Sequence, residues 1–308
     1  MQTIAQAFEI FFPRLELTDA ERDKASDQHR YLREQLQQRM SVQDNFLSGS
    51  YARKTAVRPL NDIDVFLVLA PTDALHQNTA PAHVLVEVTR ALETIYDGKT
   101  ARKQARSVNI EFSGTGIAYD VVPAFATDHD HYVIPDAEAA AWISTNPKRH
   151  REMATEANER AGKKLKPLFK AIKQANNCRP DRARSFHLEV LSWEALSHPP
   201  ATYMDGLVTL LDYLAMHICK PCADPAGLGG DIRPSLERCQ LAATWLNNLA
   251  HSAREASQLA SDGRTGEAHR LLHEILGDLW PEKGSAASRK ASPAVTSPAV
   301  DDSRSRFG

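Results

Sequence analysis

The sequence predicts an α+β protein in which a mixed sheet carrying clustered carboxylates is joined to a larger group of helices. In the first half, short apolar runs at residues 62–69 and 117–123 are typical of buried strands, and both carry aspartates. In the second half, apolar residues recur at three- and four-residue spacing, which is typical of amphipathic helices. At 308 residues the chain can bury a large core, as one bilobed unit or as two domains.

Composition indicates an ordinary globular protein. The formal net charge is −2, with 42% hydrophobic and 25% charged residues, which excludes a polyelectrolyte binder. The first residues lack the features of a secretory signal, and no apolar run reaches transmembrane length. We therefore expect a cytoplasmic protein, not a membrane protein, with reduced thiols. Cys219 and Cys222 have the spacing of a redox or zinc pair, but without a second pair incidental thiols are favoured.

The N-terminal region predicts two helices, over residues 3–12 and 18–41. Thr18 and Glu21 have the spacing of a capping box at the start of the second helix. Leu32, Leu36 and Met40 then mark one face at four-residue steps.

A hairpin over residues 42–70 contains the most informative motif. Gly49-Ser50 precedes Asp62-Ile63-Asp64, which leads into an apolar strand. Strand alternation places Asp62 and Asp64 on one face, where the two carboxylates repel each other unless a cation lies between them. Oxygen ligands of this kind suit Mg²⁺. Gly49 permits close approach of backbone to a ligand, and Ser50 adds a hydroxyl, so the pair can hold phosphate oxygens. The alternative is an acidic turn that caps a strand.

The next elements predict a second carboxylate-bearing strand. Residues 79–97 fit a helix, and residues 107–112 alternate as a strand. A glycine-containing turn leads to the strand 117–123, which carries Asp120. We expect a hairpin that brings Asp120 beside the first two aspartates, and the alternative is an isolated buried aspartate with a local hydrogen-bond partner.

The combination of Gly49-Ser50, the Asp62-x-Asp64 pair and the Asp-Val-Val-Pro strand at Asp120 resembles the DNA polymerase beta-type nucleotidyltransferases. It is most similar to the bacterial CD-NTases, the relatives of cyclic GMP-AMP synthase that act in CBASS anti-phage systems. The resemblance implies a bilobed polymerase beta-like core, a C-terminal helical lobe and a long N-terminal spine helix. It also implies that Asp62, Asp64 and Asp120 are catalytic metal ligands for Mg²⁺, with Mn²⁺ as a substitute.

Residues 128–147 contain turn signals and predict an irregular segment. Its cluster Asp128-His129-Asp130-His131 could bind a metal such as zinc, although solvated loop histidines are the favoured interpretation.

Residues 148–184 hold twelve Lys or Arg against four Asp or Glu. A solvated helix face is one interpretation, but a nucleoside triphosphate also requires several positive charges. We expect a helix over residues 149–176, in which Pro167 indicates a kink or a boundary between two helices. The resemblance assigns a triphosphate-binding lysine to this region, best matched by Lys173, with Lys170 as the second choice.

Ser185-Phe186 opens the following predicted helix. By resemblance the Ser185 hydroxyl contacts the triphosphate and the Phe186 ring stacks on the donor base. Helix N-termini favour anions and aromatic faces stack on any base, so both roles are physically sound. The alternatives are Ser185 as an N-cap, which is compatible with phosphate binding, and Phe186 as a core residue.

The remaining sequence predicts helices over residues 185–197, 203–220, 233–260 and 263–279, with a structured glycine-rich turn at 224–232. The division predicted is a nucleotidyltransferase core with the N-terminal helices over residues 1–147, a helical lobe completing the nucleotide site over 148–281, and a disordered tail over 282–308.

The function implied by the resemblance is Mg²⁺-dependent synthesis of a cyclic oligonucleotide second messenger from ATP and other nucleoside triphosphates. Cyclic tri-adenylate or another adenine-containing product is favoured, made by a monomer with a HORMA-domain activator and with duplex DNA as a further candidate cofactor. Two alternatives remain open: a transferase that tails RNA or nucleotidylates protein, and an inactive nucleotide-binding scaffold.

Overall fold

The computed structural model describes residues 2–72, 75–128 and 130–281. The predicted disordered tail, residues 282–308, lies outside the described residues. None of the helices in these ranges combines the length and the apolar composition that a membrane-spanning helix needs.

Helices and strands alternate in the first half, and helices make up the second. The strands are β1 Val42–Leu47, β2 Asp62–Leu69, β3 Arg102–Lys103, β4 Val108–Phe112, β5 Ile117–Ala126, β6 Tyr132–Asp136 and β7 Ala141–Thr145. The helices are α1 Ile4–Leu15, α2 Asp19–Gln37, α3 Gly49–Ala52, α4 Pro81–Ile95, α5 Pro147–Arg160, α6 Leu165–Asn177, α7 Ser185–Ala195, α8 Tyr203–His217, α9 Leu236–Ser261 and α10 Thr265–Leu276.

The strands form one mixed sheet in the order β1-β2-β5-β4-β3, with β6 on the far end of β5 and β7 beside β6. The pair β2–β5 is parallel and the other pairs are antiparallel. Side chains alternate across β2: Val65 and Leu67 enter the larger core against α2 and α4, and Phe66 and Val68 enter a smaller cluster on the other face. The predicted mixed-sheet α+β fold is confirmed.

The predicted long N-terminal helix is α2. Thr18 and Glu21 form the predicted capping box, in which the Thr18 side chain accepts from the Glu21 amide and the Glu21 carboxylate accepts from the Thr18 amide. Leu32 and Leu36 are fully buried in the sheet core. The Tyr119 hydroxyl of β5 donates to the carbonyl of Ala25, 2.9 Å away, so α2 is attached to the strand that carries Asp120.

A second core is built from α5–α10 together with α1. Phe8 and Phe11 of α1 are fully buried, and their rings lie 4.9 and 5.4 Å from the ring of Trp280. The prediction grouped α1 with residues 1–147, whereas its apolar face packs in the core of the later helices. The reason is that α1 is aromatic on one face and finds its partners at the far end of the chain.

Two predicted elements need correction. Residues 128–147 were expected to be irregular, but Tyr132–Asp136 and Ala141–Thr145 form the antiparallel hairpin β6–β7. The predicted boundary within the helix over residues 149–176 is confirmed, since α5 and α6 are separate helices, but the break falls at residues 161–164 and not at Pro167. Pro167 lies in the first turn of α6, where its missing N–H costs no helical hydrogen bond.

Candidate active site

The three predicted carboxylates lie on one face of the sheet. In the parallel pair β2–β5, Asp64 is opposite Asp120 and Asp62 is opposite Ala118. Asp62, Asp64 and Asp120 share their face with Phe66 and the other residues of the smaller apolar cluster, because side chains repeat every second residue. The predicted hairpin is β4–β5, and Asp120 lies beside the first two aspartates because β5 also pairs with β2, in the parallel direction.

The Asp120 carboxylate is fixed by a hydrogen bond from β4, the neighbour of β5 on the side away from β2. Asn109 of β4 is the register partner of Asp120, and its Nδ2 donates to Asp120 Oδ1 at 2.7 Å. Asn109 is buried. This bond fixes the orientation of the Asp120 carboxylate, and Asp120 also lines the cleft.

Burial and mutual repulsion make this a site for positive charge. Burial, then the Asp62 and Asp120 charges, raises the pKa of Asp64 to about 6. Burial also raises the pKa of Asp120, against the hydrogen bond from Asn109. A donor set made only of carboxylate oxygens is the chemistry that Mg²⁺ prefers, so these residues fit a divalent cation. In the described ranges, no three His, Cys, Asp or Glu side chains already surround a single point as in a closed metal site.

The Gly49-Ser50 turn lies directly against Asp64. Gly49 has φ +59°, and a Cβ placed there would lie 1.6 Å from Asp64 Oδ2, so only glycine fits. The Ser48 amide donates to the Asp64 carbonyl at 2.9 Å, which fixes the turn to β2. The Ser50 carbonyl accepts from the amides of Thr55 and Ala56, whereas its hydroxyl makes none of the hydrogen bonds found within the described residues.

The structure separates the two candidate lysines. Lys173 of α6 lines the same cleft as the aspartates, and its Nζ donates to the Thr55 carbonyl at 3.4 Å. Burial lowers the pKa of Lys173, against the attraction of Glu189 and Asp62. Lys170 is also buried, but its Nζ pairs with Glu16 Oε1 at 2.6 Å. Of the two candidates, Lys173 therefore lies in the cleft with the aspartates, whereas Lys170 is held in an ion pair.

Ser185 and Phe186 begin α7 at the cleft wall. The N-cap is Arg184 and makes no side-chain cap, so Ser185 is the first helical residue and the expectation that it could serve as the N-cap is wrong. Phe186 is partly buried: it packs on the helical core and lines the cleft as well. The Arg53 guanidinium lies 4.8 Å from its ring centroid.

A cleft of about 1270 Å³ contains all eight predicted site residues. Besides these residues, the cleft is lined by five arginines and two aspartates, namely Arg53, Arg106, Arg182, Arg184, Arg238, Asp224 and Asp231. A carboxylate cluster facing several cations can hold a divalent ion and a polyphosphate together.

Sequence reasoning missed two buried pairs at this cleft. Arg53 makes a two-pronged ion pair with Glu189, and His150 Nε2 lies 2.7 Å from Asp224 Oδ1. Asp224 also accepts from the Leu228 and Gly229 amides, which shapes the glycine-rich turn. The partners are 136 and 74 residues apart in sequence, so no local pattern indicates either pair.

The other candidate metal positions gain no support. His129 of the 128–131 cluster lies outside the described residues, and Asp130 pairs with Lys148 at 2.6 Å. Cys219 and Cys222 are free thiols, with Cys222 buried.

Comparison with known proteins identifies a family whose model matches this chain. The model of the Second Messenger Oligonucleotide or Dinucleotide Synthetase domain matches residues 1–158, about half of the chain.

Individual relatives extend the similarity over the rest of the chain. A cyclic AMP-AMP-AMP synthase of Acinetobacter sp. (strain ATCC 27244 / 9458) is 28% identical over 272 residues, covering 82% of this chain and 77% of the relative. The structure of E. coli MS115-1 CdnC with ATP superimposes with a TM-score of 0.72 at 18% identity, covering 91% of this chain and 100% of that one. The E. coli MS115-1 CdnC:HORMA-deltaN complex gives 0.69 at 18% identity, covering 90% and 98%.

Proposed function

The chain belongs to the Second Messenger Oligonucleotide or Dinucleotide Synthetase family, and on that premise we propose that it joins nucleoside triphosphates into a cyclic adenine-containing oligonucleotide, with cyclic tri-adenylate favoured. Family membership confirms the predicted resemblance to the bacterial CD-NTases and the assignment as a nucleotidyltransferase. One observation carries the proposal: Asp62, Asp64 and Asp120 share a sheet face directly beside the Gly49 turn, in a cleft that also holds basic side chains.

Substrate binding uses the two sides of the cleft. We assign the β- and γ-phosphates to the Gly49-Ser50 turn, the Lys173 ammonium and the Ser185 hydroxyl. The Ser50 and Ser185 hydroxyls take part in none of the hydrogen bonds found among the described residues, and Lys173 lines the cleft; both observations support this assignment. The Phe186 ring would stack on the donor base, an interaction that tolerates any base.

The three aspartates are the proposed ligands of the divalent cations that the reaction needs. Asp62 and Asp64, with Asp120, would hold Mg²⁺, or Mn²⁺ in its place, which would supply positive charge beside the attacking oxygen and the triphosphate. We assign to Asp120, which accepts a hydrogen bond from Asn109, the role of taking the proton of the attacking hydroxyl or of favouring its loss.

The proposed reaction is an in-line displacement. The 3′-hydroxyl of one nucleotide attacks the α-phosphorus of the bound triphosphate, a P–O bond forms, and pyrophosphate leaves as the bond to the α-phosphorus breaks. Repetition with a final intramolecular attack closes the ring. Losing Asp120 is expected to remove chemistry while triphosphate binding is largely kept.

The product and the partners rest on named relatives. The Acinetobacter protein is named for an all-adenine product, and the E. coli structure contains ATP. The E. coli complex with HORMA-deltaN supports a HORMA-domain activator for this chain as well. We also propose action as a cytoplasmic monomer in anti-phage defence, a two-lobed division at residues 147 and 148 in which α1 packs on the second lobe, and duplex DNA as a candidate cofactor, since residues 148–184 are basic.

The test is incubation of purified protein with Mg²⁺ and each α-labelled nucleoside triphosphate, alone and mixed, with and without HORMA partner, duplex DNA or RNA. We expect a phosphatase-resistant product whose mass identifies its bases, absent from Asp62→Ala and Asp64→Ala protein. A labelled RNA or protein instead of a cyclic product would establish one of the alternative transferases. Survival of the biological effect in the double aspartate variant would indicate a scaffold.

A further inference from the structure

A buried ion pair joins the sheet region to the helical region beside the cleft. The Nε and Nη2 of Arg53 donate to the two carboxylate oxygens of Glu189, each at 2.9 Å. Arg53 is 8% exposed and Glu189 is 2% exposed. Both prongs of the guanidinium are used, which restricts the relative orientation of the two groups more than a single contact would.

On the sheet side, the pair is attached to the glycine-serine turn. Arg53 ends α3, the short helix that starts at Gly49, and its amide donates to the Gly49 carbonyl at 3.2 Å. Thr55 forms a second link: its hydroxyl donates to Glu189 Oε1 at 3.1 Å and its amide donates to the Ser50 carbonyl at 2.8 Å. A shift of Glu189 is therefore transmitted to the turn through two side chains.

On the helical side, the pair is attached to the residues assigned to the triphosphate and the base. Glu189 lies one turn after Ser185 on α7, so the two side chains share a helix face. The guanidinium of Arg53 lies over the Phe186 ring, 4.8 Å from its centroid. Lys173 of α6 joins the same cluster through the Thr55 carbonyl.

The energetics favour a geometric role over simple stabilisation. Desolvation of two charges largely offsets their attraction, so an apolar pair of similar volume can support a fold equally well. What an apolar pair cannot do is fix the angle and distance between two elements in the way that a planar two-pronged contact does.

We propose that Arg53 and Glu189 are positioning residues that fix the distance and orientation of the Gly49-Ser50 turn relative to Ser185 and Phe186. The phosphate-binding side and the base-stacking side of the nucleotide site then keep the spacing that one bound nucleotide requires. This inference rests on the proposed function, because it concerns how the same site is assembled.

The test compares Arg53→Met/Glu189→Leu, Arg53→Lys and the control Arg58→Met with the full-length parent protein. Arg58 forms an ion pair with Glu21 in the same region, but it is 43% exposed and outside the cleft lining. For each protein we would measure the melting temperature, the dissociation constant of a non-hydrolysable ATP analogue, kcat and KM for product formation, and hydrogen–deuterium exchange over residues 49–56 without nucleotide.

The apolar double variant should melt close to the parent yet lose about 100-fold in kcat/KM, the size of effect expected when reacting groups are misplaced by about 1 Å. Its amides at residues 49–56 should exchange faster than in the parent. Arg53→Lys, which keeps the charge but not the two-pronged contact, should show a smaller loss of kcat/KM and a smaller increase in amide exchange. Arg58→Met should match the parent in both.

A stable double variant with parental analogue affinity, kcat/KM and exchange would overturn the inference. If the double variant does not fold, parental kinetics and exchange in Arg53→Lys overturn it equally. The two levels are separable: a parent protein that binds no analogue and forms no product contradicts the proposed function, whereas exchange at residues 49–56 tests the positioning role in either case.

Discussion

Gly49→Ala is the substitution for which the structure gives the sharpest expectation. The added Cβ would lie 1.6 Å from Asp64 Oδ2 and 2.5 Å from its Cγ. Since real Cβ contacts below 3.0 Å essentially never occur, the carboxylate and the turn must separate by the difference, about 1.4 Å. A displacement of about 1 Å at reacting groups can cost about 100-fold in rate, or about 2.7 kcal/mol of transition-state stabilisation. We expect kcat/KM to fall at least that far.

Gly98→Ala is the matched control. Gly98 has φ +78°, so alanine there meets the same left-handed strain of about 1–2 kcal/mol, but nothing lies within 4 Å of the added Cβ. Gly49→Ala should lose at least as much stability in urea unfolding as Gly98→Ala, because the clash with Asp64 adds to the backbone strain, and only Gly49→Ala should lose synthesis of the cyclic product. The reasoning is refuted if Gly49→Ala keeps activity within threefold of Gly98→Ala.

Three further outcomes are expected. Lys173→Met should raise the KM for ATP about tenfold in steady-state kinetics, the usual size of effect for a lost charged hydrogen bond. Lys170→Met should leave this KM unchanged, because Lys170 pairs with Glu16. Phe186→Leu should weaken ATP-analogue binding about tenfold by calorimetry, since base stacking contributes about 1–3 kcal/mol, and Phe186→Trp should restore it. In metal-free protein, the free energy of unfolding should fall as pH rises from about 4 to about 6, by up to about 3 kcal/mol from Asp64.

The sign of the pH effect follows from the direction of the shift. The pKa of Asp64 is raised from its ordinary value of 3.8 to about 6 in the folded protein. Between these two pH values the folded state holds a proton that the unfolded chain has released. Its contribution is present at low pH and is lost as pH rises through the folded pKa. Asp64→Asn should flatten the profile, and added Mg²⁺ should raise the melting temperature more at pH 7 than at pH 5. Parental stability independent of pH over this range contradicts the assignment.

The parts of the fold that follow short-range rules could be predicted from the sequence. Alternation in β2 placed Asp62 and Asp64 on one face, and the capping box at Thr18 located the start of α2. The β6–β7 hairpin was missed because its turn is rich in alanine and glutamate, residues that do not mark a turn, and its strands lack clear alternation. Which strands are neighbours is also beyond local pattern: Asp120 reaches Asp64 through a parallel pairing across more than fifty residues.

Side-chain pairs at the cleft were harder still to predict. Nothing in the local sequence distinguishes Arg53 and Glu189 from ordinary surface charges. Only the fold shows that both are buried and form an ion pair with each other. The same holds for His150 and Asp224. Pairing of this kind depends on the approach of separate elements, which carries no signature within either segment.

The charge distribution of the cleft has a consequence for kinetics. Its lining contains six Lys or Arg and five Asp, so a chain of net charge −2 carries both signs concentrated in one cavity. Charges lining a cleft focus the electric field there, whatever the total for the molecule. A triphosphate approaching from solution would be oriented, tail toward the arginines, before contact is made. The association rate of the triphosphate should therefore decrease as salt is added, although the isoelectric point near 6.6 indicates a protein with little net charge at neutral pH.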